Sequence, residues 1–510
     1  MASRWVKDWD CRSEDEWRDR QLRQFREFLK YQILPFSPLY QRFFRDAGLS
    51  ADSIRTWEDF RQIPFTSKDT IAPTDENLNR PRELVLQPTP EIIRETWPLS
   101  WKLKLLAKKT LFGADRVRAD LEREYRPVSM FFTTGRSALP TLFTLSNYDL
   151  SILEEVGRRI IAVADVGDRD NRLINLFPYA PHLAFWQVYY VGVGGNVLVL
   201  NTGGGKVMGT DGILQSIEKI RPAFLVGIPG YVYHVLREAH SRSMDLSYVK
   251  GLALGGDQVT DGYRARVKEL LQTMGSESPR VQSVLGFTES RKCWAECPGE
   301  SDAGFHTYPD LEIVEVLDPE SGQPVGDGET GELVYTCIAG RGSCVLRYRT
   351  GDLIVGGMTW KPCPHCGRTV PRIASQLERV SNLKNFQLSK VKGTLVNLNV
   401  IKDHLDNDPR VEEWQLVIKK RNDDECDVDE MHLNLALVKN VEDGDHDRIV
   451  DELGNGILRA CEVRMNTTRI LPLDQVLDLL GMETQLKEKR IVDLRGQTTS
   501  QPSEPVKPGR

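Results

Sequence analysis

AFLVGIPGYVYHVLREAHSRSMDLSYVKGLALGGD, residues 223–257, holds one structural unit in a single stretch. "AFLVGI" (223–228) is short and continuously apolar. "YVYHVLREAH" has helical spacing behind a helix-starting Pro229, and "GLALGGD" (251–257) is apolar again. A strand, a helix and a second buried strand in that order form a crossover unit, which requires parallel strands covered on both faces. The pattern extends both ways. "LINLF" (173–177), "NVLVLN" (196–201) and "VQSVLGF" (281–287) read as further strands, with helices over 183–192, 211–219, 230–240 and 261–273. The fold class is therefore α/β, with parallel sheets flanked by helices. Ligands of such sheets bind beyond the carboxyl ends of the strands. That directs attention to residues 178–182, 229–231 and 255–257, and to Thr288 and Glu289.

Outside this core the pattern changes. Ser13 and Glu16 form a capping box ahead of Trp17, Leu22, Phe25 and Leu29, so an amphipathic helix opens the fold. Residues 80–126 form a helical, proline-punctuated insert. Its "SWKLKLLAKKTLF" mixes lysines with leucines and aromatics, which suits either a membrane surface or a core-facing helix with a solvated lysine face. The latter is the expectation. After 300, "LEIVEVLDPESGQPVGDGETGELVYT" alternates strands and turns, so a β-rich part of antiparallel hairpins completes a large N-terminal domain over 1–378. A small α+β domain spans 379–496, with "WQLVIKK" and "MHLNLALV" as strands. The acidic stretch 422–430 reads as a solvated hairpin tip, and 497–510 as a disordered tail.

Bulk properties exclude several classes. The chain has 510 residues, 40% hydrophobic and 27% charged, as in an ordinary soluble enzyme. A net charge of −6 argues against a nucleic-acid partner. No apolar run reaches the roughly 20 residues of a membrane span. Nine cysteines without a regular framework suit reduced thiols in a cytoplasm, some of them on a metal.

Three stretches carry the chemistry. "FFTTGRSALPTLF" (131–143) is a hydroxyl- and glycine-bearing loop able to hold an anion, although Arg136, Ala138 and Leu139 interrupt it. "RYRTGDL" (347–353) places Asp352 where a carboxylate accepts two ribose hydroxyls. "KPCPHCGR" (361–368) is a knuckle by spacing: Cys363 and Cys366 stand three apart, ahead of a glycine that turns amides toward the sulfurs. Partner ligands are open among Cys293, Cys297, His306, Cys337, Cys344 and His365.

Taken in order, "TTGRSALPT", "GGD", "GFTES" and "YRTGDL" resemble the adenylate-forming (acyl-CoA synthetase) superfamily, phenylacetate–CoA ligase-like branch, over roughly residues 20–495. The resemblance implies an AMP-forming acid–thiol ligase with a mobile C-terminal lid. It implies that Thr133, Thr134, Gly135, Ser137, Pro140 and Thr141 wrap the ATP phosphates, with Arg136 able to clamp one. Asp149 falls where the family has its following aspartate. Gly255, Gly256 and Asp257 would line the adenine, and Phe287 would stack on it. Thr288 would touch the α-phosphate, Glu289 would hold Mg²⁺, and Asp352 would hold the ribose. Lys487, with Lys489 as fallback, would bridge ATP and the carboxylate. Arg379 would mark the hinge, and Gly393 the loop that meets coenzyme A. The branch pattern falls on Cys297, His306, Cys363 and Cys366 as a structural Zn²⁺ site near residues 293–367, with Cys293 as rival for the first ligand.

Aromatic residues near the strand ends (Tyr179, His182, Phe185 and Tyr231) would line an acyl pocket suited to an aromatic or arylacetic acid. The implied partners are that small acid and the thiol of coenzyme A or a carrier protein, with a homodimer left open. Two other readings remain: adenylation followed by transfer to an amine or carrier protein, and a catalytically retired scaffold.

Overall fold

The computed structural model describes residues 5–74, 76–133, 141–167, 172–179, 182–299, 303–379, 398–421, 429–461, 463–481 and 488–494. The chain divides into two compact units, Met1–Val380 and Ser381–Arg510.

The crossover unit read from residues 223–257 is present. Strands Phe224–Gly227 and Gly251–Gly255 pair in parallel on either side of the helix Pro229–Ser241. They lie inside a nine-stranded sheet whose parallel part runs, in spatial order, Leu198–Asn201, Arg172–Asn175, Phe224–Gly227, Gly251–Gly255, Arg280–Phe287. The sheet is not parallel throughout. Beyond Arg280–Phe287 it continues antiparallel through Lys292–Glu296, Phe305–His306, Arg372–Ile373 and Met358–Thr359. A tight turn follows Phe287, with the Arg291 amide donating to the Thr288 carbonyl, and leaves no length for a crossover helix. Phe224, Leu225, Leu252 and Leu254 are all essentially buried, as continuous apolar strands under two helical layers should be. Each such side chain contributes about 1.5–3 kcal/mol by leaving water.

The expected hairpins form a second, antiparallel sheet in the order Glu312–Leu317, Gly331–Cys337, Tyr348–Val355, Gln376–Arg379. The "RYRTGDL" stretch enters its third strand. In the second unit, Val411–Lys420 and Asp429–Leu437 form an antiparallel pair flanked by Ile491–Asp493 and Thr467–Ile470. Helices Leu398–Asp406 and His446–Cys461 complete an α+β arrangement around Trp414, Leu416 and Leu453. Residues 422–428, most of the expected acidic hairpin tip, and the tail from 495 lie outside the described residues.

Two expectations need correction. The opening helix, Glu14–Phe28, carries the capping box of Ser13 and Glu16, but its buried stripe is Trp17, Gln21, Phe25 and Phe28. Gln21 takes the place expected for Leu22 because its amide reaches the Glu312 carbonyl at 2.8 Å, which satisfies a buried polar group. The insert holds a short 3-10 helix, Arg80–Leu84, and three α-helices, Pro90–Thr96, Leu99–Phe112 and Ala114–Tyr125. The middle α-helix faces the core only through Trp101 and Leu105, which pack partly against it, and it buries no residue. The hairpin is anchored at its base, by Trp97 whose indole donates to the Tyr31 carbonyl and by Tyr125 whose hydroxyl meets Gln32. Leu99, Leu103 and Leu106 fall on the side away from those anchors and are 69%, 53% and 57% exposed.

Candidate functional site

Four of the five strands of the parallel part end in residues that the sequence singles out, and these ends lie along one edge. After Gly251–Gly255 the chain turns through Gly256 at φ +87°, a conformation that disfavours side chains. A Cβ on Gly256 would lie 3.7 Å from Ile228 and 3.9 Å from Phe177, at the ends of two neighbouring strands. Asp257 follows and accepts from the Gln258 amide through its carboxylate.

The next strand carries Phe287, half-buried and edge-on to Tyr335 with ring centroids 5.4 Å apart. Thr288 and Glu289 sit in the turn that follows. The Tyr348 hydroxyl donates to Glu289 Oε1 at 2.7 Å, so the "GFTES" turn and the "RYRTGDL" strand converge. Within that strand, Thr350 donates to the Leu333 carbonyl and accepts from the Asp352 amide. Asp352 pairs in register with Arg379 across the ladder.

Behind this edge the turn is pinned from below. Arg291, at φ +58°, donates to Asp149 Oδ1 at 2.7 Å and to Cys337 Sγ at 3.3 Å. Asp149 also accepts from the amides of Ser146, Arg341 and Gly342. Burial alone would raise its carboxyl, but Arg291 and those amides together hold it below the usual aspartate value. A hydrogen bond from Cys344, helped by Arg291 and Lys292, brings the buried Cys337 thiol down to about 6.

The threonines bounding the anion loop lie where the hairpin Pro127–Phe132 and Leu142–Ser146 opens. The Thr133 amide donates to the Thr141 carbonyl, and the Thr141 amide to the Thr133 hydroxyl. The Thr141 hydroxyl is buried with no hydrogen-bond partner among the described residues. Residues 134–140 lie outside the described residues, and so do Gly393 and Lys487. Lys489, the fallback cation, is exposed, with its backbone bonded to Leu480 and Gln415.

The aromatic residues divide. Phe185 and Tyr231 are buried, while Tyr179 is 60% exposed and stands edge-on to Phe185 at 5.4 Å. His182 Nδ1 lies 3.2 Å from the Phe132 carbonyl, which ties it to the strand leading into the anion loop. The sequence reading missed a glycine triplet, Gly203 to Gly205, after the strand Leu198–Asn201. A Cβ on Gly205 would stand 2.5 Å from the Tyr231 hydroxyl, so only glycine admits that ring. The signal was present: "NTGGGK" follows directly on an apolar strand.

A second centre lies at the antiparallel end of the large sheet. One ligand atom from each of Cys297, His306, Cys363 and Cys366 lies within 4.8 Å of the others. Cys297 follows the strand Lys292–Glu296, His306 closes Phe305–His306, and the knuckle lies between Met358–Thr359 and Arg372–Ile373. Gly367, at φ +72°, folds the knuckle so that its amide donates to the Cys363 carbonyl. The hydrogen bond from Cys297, with His306 and Arg368 beside it, holds the Cys366 thiol well below the usual thiol range. Three thiols and one imidazole, closely grouped and mostly buried, are the donor set of a closed tetrahedral zinc site. Cys293 lies outside the cluster, in register with Gly286 across the ladder.

The chain resembles known proteins in sequence and in fold. The AMP-binding enzyme family matches residues 83–345. The chain is 25% identical over 411 residues to the phenylacetate-coenzyme A ligase of Thermus thermophilus, covering 78% of this chain and 77% of that one. It is 21% identical to the phenylacetate-coenzyme A ligase of Pseudomonas putida, covering 87% and 88%. Among solved structures, 2-hydroxyisobutyryl-CoA ligase in the postadenylation state with R3-HIB-AMP superposes with a TM-score of 0.73 at 18% identity, over 97% of this chain and 93% of that one. That last likeness is one of fold, and it extends across both units. With more than half its length matched and the strand-end motifs gathered along one sheet edge, the chain belongs to the AMP-binding enzyme family.

Proposed function

We propose that this protein is an ATP-dependent acid–thiol ligase. A carboxylate oxygen attacks the α-phosphorus of ATP, pyrophosphate leaves, and an acyl-adenylate forms. The thiol of coenzyme A then attacks the acyl carbonyl and AMP leaves. The observation that carries this reading is the Tyr348–Glu289 hydrogen bond, which joins two separate motifs beside the carboxyl edge of the sheet in a chain of this family.

In this reading Gly255, Gly256 and Asp257 line the adenine, Phe287 stacks on it and Asp352 takes the ribose hydroxyls. Thr288 faces the α-phosphate. The loop from Thr133 to Thr141, with Thr134, Gly135, Arg136 and Ser137, takes the outer phosphates. Thr141, whose hydroxyl has no partner among the described residues, offers a donor there. Lys487 supplies the cation of the first step, Arg379 the hinge and Gly393 the coenzyme A loop. Glu289 is the Mg²⁺ ligand, and the ion neutralises charge on the crowded phosphates. Cys297, His306, Cys363 and Cys366 hold a structural Zn²⁺, since four protein donors leave no open position. Tyr179, His182, Phe185 and Tyr231 form an acyl pocket whose aromatic character favours an aromatic or arylacetic acid.

The test is acid-dependent exchange of pyrophosphate into ATP over a panel of aromatic and aliphatic acids, followed by thioester formation with coenzyme A. Asp352→Ala should lower exchange at least about a hundredfold, the worth of two hydrogen bonds to a carboxylate. Exchange without a thioester would redirect the acyl group to an amine or a carrier protein. No exchange with any acid would overturn the reading.

A further inference from the structure

The helix Leu99–Phe112 exposes apolar surface that the enzyme reading leaves unused. At 100° per residue, Leu99, Leu103 and Leu106 lie within one narrow outward stripe that Thr110 continues. Leu111 and Phe112, at the C-terminal end of the helix and off that stripe, are also 74% and 67% exposed. The inward side holds Trp101 and Leu105, which pack partly on the core, and Lys108, whose ammonium meets Asp120 at 2.5 Å. Large side chains exposed together on one helix mark a contact surface.

Charge identifies the occupant. The helix carries Lys102, Lys104, Lys108 and Lys109 and no acidic residue, in a chain whose net charge is −6. Lys102 and Lys109 flank the stripe on one side, and the exposed Lys104 lies further round the other way, about 100° past Leu103. Lys104 and Lys109 have no ion-pair partner among the described residues. A second copy of this helix across a twofold axis would set lysines against lysines, which disfavours self-association. An exposed apolar stripe on a helix that carries four lysines and no acidic residue is the form of a helix lying in a lipid interface. The helix is too short to cross a bilayer, and no described helix is long and apolar enough to do so.

We propose that Leu99–Phe112 docks this protein on an anionic membrane surface. The leucines enter the boundary between headgroups and acyl chains, and the lysines meet lipid phosphates. The docking places the acid-activating unit beside a bilayer without spanning it.

Flotation of the full-length protein with vesicles tests this. One set is phosphatidylcholine alone; the other is equal parts phosphatidylcholine and phosphatidylglycerol. The wild type should float with the anionic vesicles, remain behind with the neutral ones, and release as salt rises. Leu103→Glu with Leu106→Glu should weaken binding about tenfold or more, and Lys104→Glu with Lys109→Glu likewise. Both pairs are exposed, so melting curves and pyrophosphate exchange should match the wild type. Failure of the wild type to float would overturn the proposal. So would equal binding of wild type and both variants. Sensitivity to the lysine pair alone, with the leucine pair silent, would assign the face to an acidic macromolecule and also overturn it. So would a dimer in lipid-free solution that the leucine pair dissociates.

Discussion

Tyr348 and Glu289, 59 residues apart, share a hydrogen bond of 2.7 Å from the tyrosine hydroxyl to the carboxylate. It fixes the glutamate's orientation from a strand of the other sheet. Tyr348 is held in turn by the parallel bridge of its backbone to Thr66, whose hydroxyl bonds the Leu346 carbonyl.

Tyr348→Phe keeps the ring and removes only the donor. If Glu289 is the metal ligand, losing a group that orients it should cost about 10–100-fold in metal affinity or rate. Titrating Mg²⁺ in the exchange assay should show a higher half-maximal concentration with an unchanged melting temperature. An unchanged Mg²⁺ dependence would remove Tyr348 from a positioning role.

The buried pair Asp149–Arg291 supports the same turn from below. Asp149→Asn leaves a buried guanidinium without its counter-charge, so a loss of about 3–5 kcal/mol is expected at neutral pH. The folded-state value of Asp149 lies below its ordinary 3.8, so the pair's contribution is present above that pH and is lost as pH falls through the lower folded value. Denaturation of both proteins across pH should therefore show a constant gap from pH 7 to 5 that narrows only below about pH 4.

Gly205→Ala forces a methyl group against the Tyr231 hydroxyl, which stands 2.5 Å from where the Cβ would go. The ring must shift. If Tyr231 lines the acyl pocket, kcat/KM for the preferred acid should fall about tenfold while KM for ATP stays constant, and Tyr231→Ala in the same chain should relieve the clash. Equal losses for acid and ATP would point to collapse of the sheet edge instead.

The cysteine–histidine cluster predicts about one zinc per chain by elemental analysis, lost in Cys366→Ser and retained in Cys293→Ser. Removing the ion should lower the melting temperature, because strands brought together from distant sequence are tied there. A metal content unaffected by Cys366→Ser would exclude the cluster as the site.

Much of the candidate site was legible because ligands of parallel sheets bind beyond strand ends, and strand ends can be read from apolar runs. Gly256, Asp257, Thr288 and Glu289 were picked out by that rule alone. Tyr348 as partner of Glu289, and Gly205 against Tyr231, were not. Each contact joins segments whose separation no local pattern encodes.

The amino-acid sequence by itself determined the α/β core, the hairpins after residue 300 and the α+β unit, since hydrophobic period and turn chemistry are local properties. Only the tertiary structure decided where the sheet turns antiparallel after Phe287, and that Cys297 rather than Cys293 joins the knuckle. It alone decided that the leucines of Leu99–Phe112 face outward. Periodicity fixes which residues share a side of a helix, but what that side meets depends on where the anchors at Trp97 and Tyr125 hold it.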